Sequence, residues 1–217
     1  MQWPETEAEA IALQLELAPR VDCHEPEGFS PRAVAGLDVD YRDDHVAAAV
    51  VVLDADSLIE IESATAITPV RFPYIPGLFS FRELPPLLAA IAKLTVTPDL
   101  LIADGHGLAH PRRFGLACHL GVVTGIPTIG VAKTPMGGYD APADTRGATT
   151  PLVDKGETVG AALRTQRGVK PVFVSVGHRI SLERACAEVL RLAPKYRQPE
   201  TTRRADRLCR DARATER

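Results

Sequence analysis

The sequence predicts an α/β fold, a mixed central β-sheet flanked by helices. Three observations carry the prediction. The first third holds short apolar runs joined by tight polar turns, the middle alternates buried strand with helix, and both ends show helical spacing. With 217 residues and no internal repeat or long linker, the chain is expected to form one domain over residues 1–217.

Taking the elements in order, residues 5–18 carry Ala8, Ile11, Ala12, Leu15 and Ala18 at helical spacing, ending before Pro19, which predicts an amphipathic first helix. "AVAGLDVDY" and "HVAAAVVVLD" follow as strands separated by "RDD", and "SLIEIESATA" reads as a third, so an antiparallel meander is expected. Helical spacing returns over residues 84–94, where Pro85 and Pro86 fit only a first turn. "DLLIAD" and "PTIGVAK" read as fully buried strands on either side of a helix, "RRFGLACHLGVVTG". Residues 134–157 are turn-rich and read as loop, after which "TVGAALRTQ" and "VKPVFVSVG" resume strand character. Two helices close the chain, "SLERACAEVLRLA" with Ser181 as its cap and a basic segment starting near Glu200.

Composition narrows the function classes. The longest strictly apolar run, residues 46–53, is far too short to cross a bilayer, and the acidic start "MQWPETEAEA" is unlike a signal peptide. A soluble cytoplasmic protein with no membrane partner is expected. Cys23, Cys118, Cys186 and Cys209 form no CxxC pair, so neither a zinc knuckle nor a disulfide framework is suggested. The formal charge of −3 runs against nucleic-acid binding, but its distribution does not. Residues 1–30, the acidic helix and lead-in, hold seven acidic side chains against one basic, whereas the basic segment 195–217 holds eight basic against four acidic. That segment is either a phosphate-facing patch or a solvated, salt-bridged helix.

The chemistry lies where charged residues interrupt apolar strands. Asp38 sits inside the first strand, and Asp104 ends "DLLIAD" before "GHG". A single strand-end aspartate is ordinarily a turn former or cap. If the two strands run parallel and adjacent, however, both carboxylates emerge near one sheet edge. Paired carboxylates repel, so a divalent cation is their natural partner, and Glu83 offers a third oxygen. All-oxygen ligation points to Mg²⁺, with Mn²⁺ as a substitute, rather than zinc. His106 and His110 have i, i+4 spacing, but Gly107 and Pro111 disfavour a helical zinc motif. Lys133, ending "PTIGVAK", is either an ordinary solvent-reaching lysine or a cation for a phosphate. His178 in "SVGHRIS" is either a structural partner or a phosphate-site histidine. "PYIPGLFSFRE", residues 73–83, is an apolar loop that two prolines and a glycine keep irregular, either a buried crossover or an aromatic wedge beside Glu83.

Taken together and in order, "GLDVDY", "PYIPGLFSFRE", "LLIADGHGLAHPRRFGLACHLG", "PTIGVAKT" and "VSVGHRISLERA" resemble the motifs of endonuclease V, the deoxyinosine 3′ endonuclease family, over about residues 5–210. The resemblance implies a ribonuclease H-like fold. It also implies hydrolysis of the second phosphodiester on the 3′ side of a deoxyinosine in DNA, leaving 3′-hydroxyl and 5′-phosphate ends. Carried over by position, Asp38, Glu83 and Asp104 are the metal-binding carboxylates, with Lys133 and His178 beside the scissile phosphate. Tyr74, Ile75 and Pro76 form the wedge that fills the space of a displaced base, and Gly77, Leu78, Phe79 and Gly105 line the base pocket. A monomer is expected. Three rivals are weighed: the same cut in inosine-containing RNA, a non-catalytic lesion binder, and an ATPase on a related sheet, for which the chain is too short.

Overall fold

The computed structural model of the chain describes residues 3–41 and 44–214; Arg42 and Asp43 of the expected turn, and the extreme residues of the acidic and basic end segments, lie outside that description. One eight-stranded sheet organises it, with β1 (Ala33–Tyr41), β2 (His45–Asp54), β3 (Glu60–Pro69), β4 (Leu100–Ala103), β5 (Thr128–Ala132), β6 (Thr149–Asp154), β7 (Glu157–Leu163) and β8 (Val172–His178) in the order β3-β2-β1-β4-β5-β8-β7-β6. β1 to β3 form the expected antiparallel meander, whereas β1, β4 and β5 run parallel. Helices α1 (Glu7–Leu17), α2 (Ser80–Ile91), α3 (Leu116–Thr124), α4 (Leu182–Leu192) and α5 (Glu200–Ala214) pack around it. This is the ribonuclease H-like architecture that the resemblance implies. No described helix is long and apolar enough to cross a membrane.

The alternation of strand side chains builds a core on each side of the sheet. On one side Val34, Leu100, Ile102, Val131 and Val174 meet Ala185, Val189 and Leu192 of α4. On the other, Ala35, Leu37, Val50 and Leu101 meet Leu84 and Leu87 of α2 and Leu116 and Leu120 of α3. α5 lies directly on β1: a Cβ built on Gly36 would stand 2.1 Å from the Thr201 carbonyl carbon, so only glycine admits the helix at this depth.

Four elements depart from expectation. α1 buries Ala10, Gln14 and Leu17, while Leu15 is 57% exposed, because Gln14 satisfies its amide with backbone carbonyls and can therefore face inward. α2 starts at Ser80 instead of residue 84, which puts Pro85 and Pro86 past its first turn. The cost is partly offset, since the Phe81 carbonyl that Pro85 leaves without an i+4 donor accepts the Trp3 indole N–H at 3.1 Å. α3 starts at Leu116 rather than at residue 112. β6 is a strand inside the segment read as loop; as an edge strand it tolerates Pro151 and buries only Leu152, which left no alternation to read.

Candidate active site

Parallel pairing of β1 with β4 sets Leu37 opposite Ala103, so the residues that follow, Asp38 within β1 and Asp104 just past the end of β4, stand side by side. The Asp104 N–H donates to the Leu37 carbonyl at 3.3 Å, fixing that register. Glu83 comes from the first turn of α2 and is only 8% exposed. Its Oε1 accepts a 2.5 Å hydrogen bond from the Tyr41 hydroxyl at the end of β1. Lys133 follows β5 and places Nζ 2.5 Å from Asp104 Oδ2. Its backbone is held in turn by Arg197, whose Nη2 donates to the Lys133 carbonyl at 2.6 Å.

Burial and mutual repulsion make this cluster electrostatically tense. Burial first, and then the Asp104 charge, push Asp38 up to about 7, against the pull of Lys133 and Arg210. Burial is again the largest cause at Glu83, which is pushed up to about 8; the Tyr41 bond lowers it, and Asp38 and Asp104 raise it. Burial and the neighbouring Glu83 raise the Tyr41 phenol, so it remains a hydrogen-bond donor.

Oxygen donors alone, with charges that repel until compensated, fit a hard divalent cation. Among the described residues no three His, Cys, Asp or Glu side chains close into a ligating set. The pleat accounts for part of this: Asp38 shares the Gly36 side of β1, under α5, whereas Glu83 rises from α2 on the opposite side, so the two meet only around the sheet end. Lys133 meanwhile neutralises Asp104 directly.

Beside the carboxylates a cavity of about 390 Å³ is lined by Tyr74, Pro76, Gly77, Phe79, Asp104, Gly105, His106 and Lys133, among others. Tyr74 is 71% exposed, an unusual position for a large aromatic ring. The Phe79 ring lies over Gly105, where an added Cβ would meet it at 3.9 Å. Two expected members of this region turn their side chains away from the cavity, which leaves backbone groups as the part of Leu78 expected to read a base edge. Leu78 is buried with Phe72, Phe81 and Ala10, and Ile75 packs against that same cluster. Their side chains anchor the loop instead of lining the cavity.

His178 is not brought to this site. β8 runs antiparallel to β5 and pairs His178 with Thr128, the first residue of β5, whereas Lys133 follows its last. At roughly 3.3 Å per residue the two lie about 16 Å apart along the strand. His178 Nδ1 accepts the Asp22 N–H at 3.2 Å, the structural role left open by the sequence. His106 and His110 do not pair on a metal either; each hydrogen-bonds a carbonyl, of Thr134 at 3.0 Å and of Gly77 at 2.9 Å. Tyr41, Arg197 and Arg210 went unnoticed in the sequence. Tyr41 ends "GLDVDY" within the same strand as Asp38, which was a usable signal; Arg210 reaches the site only through the placement of α5, and Arg197 through the segment between α4 and α5.

Comparison with known proteins shows the family. The family model for endonuclease V matches residues 15–207. A relative named endonuclease V from Streptomyces avermitilis is 58% identical over 97% of this chain and 93% of its own length. The crystal structure of endonuclease V from Streptomyces avermitilis superposes with a TM-score of 0.94 at 57% identity, covering 98% of this chain and 95% of that one. Endonuclease V of Ciona intestinalis, solved in complex with a 24-mer DNA containing an inosine followed by a ribo-adenosine, superposes with a TM-score of 0.85 at 27% identity, covering 97% and 98% of the two chains. With the match running from α1 into α5 and the three carboxylates emerging at one end of the sheet, the chain belongs to the endonuclease V family of nucleases.

Proposed function

We propose that the protein is a metal-dependent deoxyinosine 3′ endonuclease of DNA repair, acting as a cytoplasmic monomer that hydrolyses the second phosphodiester bond 3′ to the lesion. The observation that carries this reading is the gathering of Asp38, Glu83, Asp104 and Lys133 around one end of the central strands, beside a cavity lined by Tyr74. Asp38, Glu83 and Asp104 would hold Mg²⁺, or Mn²⁺ in its place. Such an ion supplies charge stabilisation at the attacked phosphate and acidifies its bound water.

The chain's own residues account for the rest. The Lys133 side chain is 45% exposed, so its ammonium can exchange Asp104 for a phosphate oxygen and stabilise the charge that builds there. Tyr41, by its bond to Oε1, fixes which Glu83 oxygen remains for other partners. Tyr74 occupies the space that an everted nucleotide vacates, and the cavity that Phe79 and Gly105 help to line receives the base. Extrusion costs a few kcal/mol and least where pairing is weak, which favours hypoxanthine. Asp104→Asn should abolish nicking of an inosine-containing duplex while gel-shift affinity stays within about threefold; full activity in Mg²⁺ would overturn the assignment.

A second reading keeps the chemistry and changes the polymer. The Ciona relative was solved on an inosine followed by a ribonucleotide, which favours testing inosine-containing RNA alongside DNA. Matched DNA and RNA oligonucleotides, each with one inosine, separate the two.

A further inference from the structure

Resting on that proposed function, we infer that Gln14, His110 and Arg112 are positioning residues that clamp the Gly77 carbonyl and thereby set the wedge and base pocket. Three side chains from distant parts of the chain donate to that one oxygen: Gln14 Nε2 at 3.0 Å, His110 Nε2 at 2.9 Å and Arg112 Nη2 at 2.9 Å. A carbonyl offers two lone pairs, so three converging donors over-determine its direction.

The clamp is closed on itself. Arg112 Nε donates to Gln14 Oε1 at 2.5 Å, and Gln14 Nε2 also donates to the Phe114 carbonyl at 3.0 Å. Because the Gly77 oxygen can only accept, His110 carries its proton on Nε2; Nδ1 then accepts the Arg112 N–H at 3.2 Å. Burial holds this imidazole down to about 4, so it stays neutral near pH 7. The turn beneath is fixed by Arg113, whose guanidinium binds Asp154 and Glu157 of the β6–β7 hairpin, each at 2.9 Å. Gln14 and His110 are almost wholly buried, where an unpaired amide or imidazole would be costly, so the arrangement is held from within.

Its placement explains what it would do. Gly77 has φ +80° and stands between Pro76, which lines the cavity, and Leu78, which is locked into the core. Fixing its carbonyl fixes the plane of the Gly77–Leu78 peptide, and the Leu78 N–H closes a 2.9 Å turn back to the Ile75 carbonyl. The orientation is passed in this way to the exposed Tyr74 one residue further on. The carboxylates lie outside this chain of bonds, so clamp and cutting site are separable.

The test compares wild type with His110→Leu, Arg112→Met and Gln14→Leu, which remove donors, and with His110→Gln, whose Nε2 can replace the imidazole donor. Three quantities are read: hydrogen exchange over residues 73–79, the ratio of single-turnover nicking rates on inosine and undamaged DNA, and the Mg²⁺ midpoint. Donor loss should speed exchange in that segment alone and lower the ratio about tenfold, with the Mg²⁺ midpoint within twofold; His110→Gln should retain most of the ratio. Unchanged exchange over 73–79, exchange raised throughout the chain, or a His110→Gln loss equal to that of His110→Leu would overturn the clamp. Wild type that fails to nick inosine DNA would sink the proposed function, while the exchange arm would still decide the clamp.

Discussion

Glu83→Gln should stabilise the metal-free protein at pH 8 and leave it inactive. The Glu83 carboxyl is buried and pushed from its ordinary 4.5 up to about 8. Between those values the native state holds a proton that the unfolded chain has released. Stability is therefore fully present below about pH 4.5 and falls as pH rises toward 8. The rise from 4.5 to about 8 corresponds to roughly 5 kcal/mol at most. Glutamine escapes that penalty and still offers an oxygen to Tyr41, whose bond to the ionised carboxylate is already included in the value of about 8. The expected gain is about 4 kcal/mol at pH 8. For a chain of this size that moves the urea midpoint up by about 1.5 M. At pH 4.5, where both forms are neutral, the gain should vanish. Mg²⁺ should narrow the pH 8 difference by stabilising ionised wild type. A variant no more stable than wild type at pH 8 in EDTA, or equally altered at both pH values, would mean that Glu83 is not held protonated by burial.

Four further outcomes follow from the same geometry. Lys133→Met removes the ammonium 2.5 Å from Asp104 and should slow single-turnover nicking about a hundredfold, with binding of inosine DNA nearly unchanged by gel shift. Tyr74→Ala, at an exposed position, should lower inosine selectivity in competition nicking while the Mg²⁺ midpoint and the melting temperature hold. Gly36→Ala drives a Cβ into the Thr201 backbone and should cost about 3 kcal/mol in urea unfolding as α5 is displaced from β1. His178→Ala, at the far end of β5, should leave the nicking rate within about twofold of wild type.

What the sequence disclosed depended on whether the signal was local. The meander, the buried parallel strands and the adjacency of Asp38 and Asp104 were legible, because apolar runs and short connections constrain which strands can pair. Strand direction at β8 was not. "VKPVFVSVG" reads the same in either sense, and only the antiparallel pairing with β5 sends His178 to the opposite end. The inward face of α1 was missed because Gln14 is polar, and its burial depends on Gly77 and Phe114, 63 and 100 residues away. The start of α2 was placed late because paired prolines were assigned to a first turn; the Trp3 indole that compensates Pro85 lies outside any local window. Leu78 and Ile75 belong to a loop whose alternation carries no periodic signal, so which side chains turn inward was settled by packing on Phe72 and Phe81.

The proposed activity is metal-dependent cutting of one strand next to inosine. The most direct measurement uses a duplex with a single deoxyinosine, end-labelled on the lesion strand, incubated with and without Mg²⁺ and resolved to single nucleotides. One product is expected in Mg²⁺, ending in a 3′-hydroxyl one nucleotide beyond the inosine, with none in EDTA and none from the matched undamaged duplex. Cleavage at the same rate in EDTA, or at positions unrelated to the inosine, would contradict it.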